Sequence, residues 1–201
     1  MNPSNSLILA SGSAARAAML RAAGVPIEVA PARVDEAELK LSLQRQGVDP
    51  ETAAIALAEL KAVQVSRRYP GQLVLGADQM LDCDGAWLDK PADRAAARAQ
   101  LAALRGKSHR LTSAAVLARD GVRIWHRAAS ARLLMREFTD AFLEGYLDQA
   151  GDAVLSSVGA YQLEGLGAQM FQRIDGDYFV ILGLPLLAVL DILREQGLLA
   201  R

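Results

Sequence analysis

Cysteine is nearly absent: the 201-residue chain has one, Cys83, so no internal disulfide can form. That scarcity suits a reducing cytoplasm, which is the expected location. Histidine is also scarce, and His109 and His126 lack metal-ligand spacing. Any metal is therefore expected to be a hard cation held by carboxylates and phosphates. Charge of one sign is not in excess, since the net charge is −1. A non-specific nucleic-acid binder is normally basic, so no nucleic-acid partner is expected. No apolar run is long enough to span a membrane, and the start lacks the basic-then-apolar pattern of a secretory leader. Neither a G-x-x-x-x-G-K-[ST] loop nor a G-x-G-x-x-G fingerprint occurs, which excludes the two commonest glycine-rich phosphate loops.

What the chain does have is apolar content. Hydrophobic residues make up 52%, much of it alanine, enough for one domain over residues 1–201. The organising stretch is residues 7–20, LILASGSAARAAML. Residues 7–10 read as a buried strand, Ser11-Gly12-Ser13 as a hydroxyl-rich turn, and Ala14 onward as a helix. Backbone N–H groups and the helix dipole converge at such a turn, and Ser11 and Ser13 add hydroxyls. Ser13 is a plausible N-cap. On the helical wheel Arg16 shares the inward side with Met19, Leu20 and Ala23, and Arg21 points outward. An inward arginine needs an anionic partner: a phosphate held at the turn, or an internal carboxylate.

Further along, residues 27–30 read as a strand. Asp35 and Glu36 lie in a charged stretch and read as a solvated loop or helix start, with metal or water coordination as the functional alternative. Asp49-Pro50-Glu51 opens a helix to about Arg68. Ala54, Leu57, Ala58 and Val65 share one face, with Lys61 in its middle. Such a lysine commonly snorkels outward, and otherwise reaches a buried anion. Residues 73–77 are apolar throughout, Asp78 interrupts them, and Met80-Leu81 resume the pattern. A carboxylate inside a buried strand is costly unless paired or metal-bound, which suits a general base. The plainer reading is an acid that pairs with a neighbour or ends the strand.

Asp82-Cys83-Asp84-Gly85 reads as a hairpin turn, with residues 86–88 as the return strand. Lys90 is held extended before Pro91. A helix follows over about 93–104, ending at Gly106. Residues 108–119 and 123–135 read as a hairpin around Asp120-Gly121. Thr139 caps a helix to about Leu147. Residues 156–167, SSVGAYQLEGLG, form a glycine-rich loop with one central acid, Glu164. Strands are expected over 170–174 and 179–182, and a last helix over 185–196 with Pro185 near N1.

In order, these segments resemble the Maf family of nucleoside triphosphate pyrophosphatases over nearly the whole chain. The family's opening pattern corresponds to Leu9-Ala10-Ser11-Gly12-Ser13-Ala14-Ala15-Arg16, running on to Leu20. Asp35-Glu36, Ala58-Glu59-Leu60-Lys61-Ala62, Gly76-Ala77-Asp78, Lys90-Pro91, Ala160-Tyr161-Gln162-Leu163-Glu164-Gly165 and Gly183-Leu184-Pro185 follow. Two positions depart from the pattern: Ala15 stands where the family has a first arginine, and Glu164 where it usually has glutamine. With Gln79, these positions are linked in the family to base choice. Gln79 with Glu164 resembles the branch acting on 7-methyl-GTP. Gly159-Ala160-Tyr161 is closer to the dTTP/UTP branch, so both bases stay open.

The resemblance implies an α/β fold, a mixed twisted sheet with flanking helices, two-lobed with a central cleft, and a homodimer. It implies a metal-dependent hydrolase that cleaves a nucleoside triphosphate between the α- and β-phosphates. Asp78 would be the base. Lys61 and Lys90, with Arg16, would neutralise the triphosphate. Ser11 and Ser13 would hold a phosphate, and Gln79 and Glu164 would face the base. Glu36 and Asp78 would hold Mg²⁺ or Mn²⁺. The alternatives are a catalytically weak nucleotide-binding regulator, given Ala15 and the family's link to septum formation, and a protein in which Asp78 and Lys61 form only a structural ion pair.

Overall fold

The computed structural model describes residues 6–201. Strands β1 (Leu7–Leu9), β2 (Ile27–Val29) and β3 (Val74–Cys83) come first, β1 pairing parallel with both others. All three residues of β1 are fully buried, as expected of a strand covered on both faces. Next come β4 (Ala86–Leu88), antiparallel to β3, then β5 (Ser108–Arg119), β6 (Val122–Met135) and β7 (Phe171–Asp175), which runs antiparallel to β6. The result is a mixed sheet, as expected, here of seven strands in the order β2-β1-β3-β5-β6-β7 with β4 on β3. Asp120 and Gly121 both take positive φ, the geometry of a two-residue hairpin turn. No helix among the described residues is long and apolar enough to cross a membrane.

The chain divides into two compact units. The first holds residues up to Gln79, Ser113–Ala129 and Gly183–Arg201. Its helices are α1 (Ala14–Ala22), α2 (Glu36–Arg45), α3 (Pro50–Ser66) and, late in the chain, α7 (Leu186–Glu195; α4 to α6 belong to the second unit). Ser13, Asp35 and Asp49 cap the first three through side-chain oxygens. Ile8, Leu20, Leu57, Leu75, Val189 and Leu193 are sealed from solvent and form its core.

The second unit holds Met80–Thr112 and Ser130–Leu182. Its helices are α4 (Arg94–Leu104), α5 (Asp140–Ala150) and α6 (Tyr178–Ile181). Arg94 and Arg98 of α4 pair with Glu144 of α5, and Arg105 with Asp140. Beneath that exposed ladder Leu101, Leu104 and Leu143 are fully buried.

Two expectations need correction. Residues 179–182 are not a strand. Asp177 accepts a hydrogen bond from the Val180 N–H and turns the run into α6, burying Val180 and Ile181 and leaving Tyr178 exposed. A local cap here overrides aromatic and β-branched propensity. Ala23 is exposed rather than inward, because the helix ends there and Ala23 serves as its C-cap. Pro185 is the N-cap residue of α7, directly before N1, in line with its expected place near N1. The glycine-rich stretch is also more ordered than a loop, forming short 3₁₀ turns over Val158–Ala160 and Leu166–Met170.

Candidate phosphate-handling site

The turn after β1 is tightened by its own hydroxyls. Ser11 Oγ accepts from the Ser13 N–H (3.3 Å) and from Arg16 Nη1 (3.0 Å), and Ser13 Oγ accepts from the Arg16 N–H (3.3 Å). Gly12 and Ala14 are exposed, so the turn faces solvent. The N–H groups of Ala14 and Ala15 precede the helical ladder, and donors at a helix start suit an anion. Ala15 itself is half-buried and brings no charge.

Arg16 is buried, as its place on the wheel requires. Its nearest partners are carbonyls rather than an anion: Nε donates to Gly183 O (2.8 Å) and Nη1 to Ala77 O (2.9 Å). Burial pulls the guanidinium below its ordinary value, while the negative charges of Asp78 and Glu36 push it back up. An arginine stays charged through such a shift. Its Nη2 makes no hydrogen bond among the described residues.

Asp78 and Lys61 are brought together by a glycine. Gly76 and Asp78 are two residues apart on β3 and so face the same side. A Cβ at Gly76 would meet Ala58 O and sit 2.7 Å from Ala62 N, so only glycine lets α3 rest directly on the strand. That seat places Lys61, one residue before Ala62, over Asp78. Lys61 does not snorkel. It is 7% exposed, and its Nζ lies 2.6 Å from Asp78 Oδ1 and 2.9 Å from Glu36 Oε2. Asp78 is 4% exposed, does not end the strand, and its Oδ2 is buried with no partner among the described residues. Glu36, in the first turn of α2, is the half-exposed member.

The first unit thus assembles Ser11, Ser13, Arg16, Glu36, Lys61 and Asp78. Gln79 follows on β3, half-buried, its Nε2 donating to Ser113 Oγ (3.1 Å). Lys90 and Glu164 lie elsewhere in the sequence, after Gln79. Both belong to the second unit and both are exposed, Lys90 just before the buried Pro91 and Glu164 in a turn closed by Gly165 N–H to Gln162 O (3.2 Å). Sequence reasoning missed the carbonyl holders of Arg16. The Gly183-Leu184-Pro185 motif was visible, but its use of a backbone oxygen leaves no trace in residue type.

The donor set fits a hard cation of the magnesium type. Two carboxylates meet on one lysine, and Asp78 Oδ2 is an unused oxygen. No group of three or more metal-ligating side chains occurs among the described residues. Mg²⁺ commonly takes one or two carboxylates and completes its shell with phosphate oxygens and water.

A serine turn at a helix start, a buried arginine and a lysine shared by two carboxylates define an anion-handling α/β protein. The family model described as Maf-like protein matches residues 6–196, and the chain belongs to that family. It is 62% identical over 190 residues to a protein named nucleoside triphosphate pyrophosphatase from Paramagnetospirillum magneticum, covering 94% of this chain and 98% of that one. A protein of the same name from Granulibacter bethesdensis is 50% identical over 190 residues, covering 94% and 96%. A protein named 7-methyl-GTP pyrophosphatase from Mesorhizobium japonicum is 51% identical over 191 residues, covering 95% and 96%.

Proposed function

We propose that the chain hydrolyses a nucleoside triphosphate between its α- and β-phosphates, releasing the monophosphate and pyrophosphate. The observation that carries this is Asp78. One oxygen is fixed on Lys61, and the other is buried and unsatisfied. A purely structural ion pair would leave that second oxygen a standing cost. A general base has a use for it: Oδ2 accepts a hydrogen bond from the attacking water and takes its proton as the water adds to the α-phosphorus. Lys61 holds the carboxylate in place and, with Arg16, offsets charge developing on the phosphate oxygens. The Ser11–Ser13 turn receives one phosphate group on its free N–H donors.

Glu36 would hold Mg²⁺ or Mn²⁺ together with the triphosphate, and the ion would supply charge neutralisation and orientation of the phosphates; Asp78, expected as a second ligand, has its one spare oxygen given to the water. Lys90, Gln79 and Glu164 are assigned to the substrate on the family resemblance, Lys90 to the phosphates and the other two to the base. A glutamine and a carboxylate suit a base that offers N–H donors or positive charge, as 7-methylguanine does. The resemblance also supports a homodimer, and the single cysteine supports a cytoplasmic setting.

Asp78→Asn tests the base. Asparagine keeps an oxygen for Lys61 but takes no proton, so pyrophosphate release should vanish while the fold and nucleotide-induced thermal stabilisation persist. Near-wild-type turnover in that variant removes the assignment. The second reading, a binding protein without turnover, rests on Ala15, which leaves the first turn of α1 one cation short of the family pattern. A panel of 7-methyl-GTP, dTTP and UTP with Mg²⁺ or Mn²⁺ separates the two: binding without pyrophosphate release favours the second.

A further inference from the structure

A buried polar pair in the second unit takes no part in the phosphate chemistry. His109, on β5, is 3% exposed and Tyr161 is 4% exposed. His109 Nε2 lies 2.8 Å from the Tyr161 hydroxyl. Phe171 closes the box, edge-on to Tyr161 at 4.8 Å between ring centroids. His109 Nδ1 is buried without a partner among the described residues. Whichever ring nitrogen carries the proton, one polar group of the pair stays unsatisfied. Burial keeps the imidazole neutral, its pKa pulled down to about 4. An apolar pair would fill the same space without that cost, so the hydrogen bond is better explained by what it holds in place.

What it holds is the segment leading to Glu164. Gly159 and Ala160 both take left-handed φ values, 77° and 60°. For alanine this conformation is strained and persists only where its surroundings enforce it. The Tyr146 hydroxyl donates to Ala160 O (3.2 Å), and Tyr161 follows with its hydroxyl on His109. The chain then turns at once: Gly165 N–H donates to Gln162 O, and a Cβ at Gly167 would sit 2.8 Å from Gln162 N. Glu164 stands at the tip of this turn. It makes no hydrogen bond or ion pair among the described residues, so only its backbone aims it.

We infer that His109 and Tyr161 are positioning residues whose hydrogen bond fixes the Gln162–Gly167 turn and thereby sets how Glu164 meets the nucleotide base. This rests on the reading of Glu164 as base-facing. Tyr161→Phe removes one oxygen and keeps the ring. His109→Phe removes the partner, and His109→Gln keeps a nitrogen in about the same place.

The test measures kcat and KM for 7-methyl-GTP, dTTP and UTP, with amide exchange over residues 162–168 and Glu164→Gln as the reference. Tyr161→Phe and His109→Phe should each change the KM ratio between nucleotides about fivefold, the size of one lost hydrogen bond, with kcat nearly unchanged. Exchange over 162–168 should quicken in both, and His109→Gln should restore part of each effect. Unchanged exchange overturns the proposal. So does an unchanged KM ratio in both variants while Glu164→Gln moves it. If Glu164→Gln itself leaves the ratio in place, the base-facing reading of Glu164 has failed and the base-choice role of the pair falls with it. Exchange alone then decides whether the pair holds the turn.

Discussion

Lys61 is one ammonium serving two carboxylates in a place almost closed to water. Removing one partner of a buried pair costs more than the pair contributes, because the survivors keep their charge without compensation. Lys61→Met should therefore lower unfolding stability by about 3 kcal/mol in urea titration and abolish turnover. His109 makes a different kind of contribution. Its native pKa of about 4 lies below the ordinary 6.5, so between those values the unfolded chain binds a proton that the native chain refuses. Stability should accordingly be full above about pH 6.5 and fall as the pH drops toward 4, by an amount on the order of 3 kcal/mol. His109→Phe should flatten that slope in melting curves taken from pH 7 to pH 4. A slope that survives the substitution assigns it to other groups.

Among the elements, α3 on β3 governs the site. Gly76→Ala would push a methyl group into the backbone of α3 at Ala58 and Ala62. The helix must lift, at a cost of about 2 kcal/mol or more, and Lys61 leaves Asp78. A drop in melting temperature together with loss of pyrophosphate release is the expected result. Retained activity would show that the seat is looser than the packing implies.

The elements also mark how far the sequence could be read. Caps and turns were legible because their chemistry is local: Ser13, Asp49-Pro50 and Asp120-Gly121 each satisfy or strain the backbone within a few residues. The apolar stripe of α3 and the buried β3 were legible from period alone. Residues 179–182 were misread because aromatic and β-branched residues favour a strand until a cap intervenes, and a cap three residues upstream is a weak signal beside a four-residue apolar run. For the site, Asp78 stood out as an acid in an apolar strand, and Arg16 as a cation on an inward face. That Lys61 would turn inward was not legible, since the same face permits snorkelling. The Arg16–carbonyl bonds span 61 and 167 positions in sequence and involve backbone atoms common to every residue.

For the whole molecule, ligand binding is the most direct probe. A nucleotide that binds only the folded chain stabilises it by about 2.7 kcal/mol at a hundredfold excess over Kd. For a chain of this length that corresponds to roughly 5–10 °C in melting temperature. The preferred triphosphate with Mg²⁺ or Mn²⁺ should give such a shift in Asp78→Asn, where turnover cannot deplete it. Arg16→Met, which withdraws the guanidinium from the serine turn, should abolish it. No shift with any nucleotide would remove the binding site altogether.

The bond from Arg16 to the Gly183 carbonyl has a consequence for the order of synthesis. Translation proceeds from the amino end, so the serine turn and Asp78 exist well before the oxygen that fixes Arg16 has been made. A growing or prematurely terminated chain lacking residue 183 carries the site's charged groups without one of its anchors. The full set of bonds that seats the guanidinium is therefore completed only after residue 183 has been made.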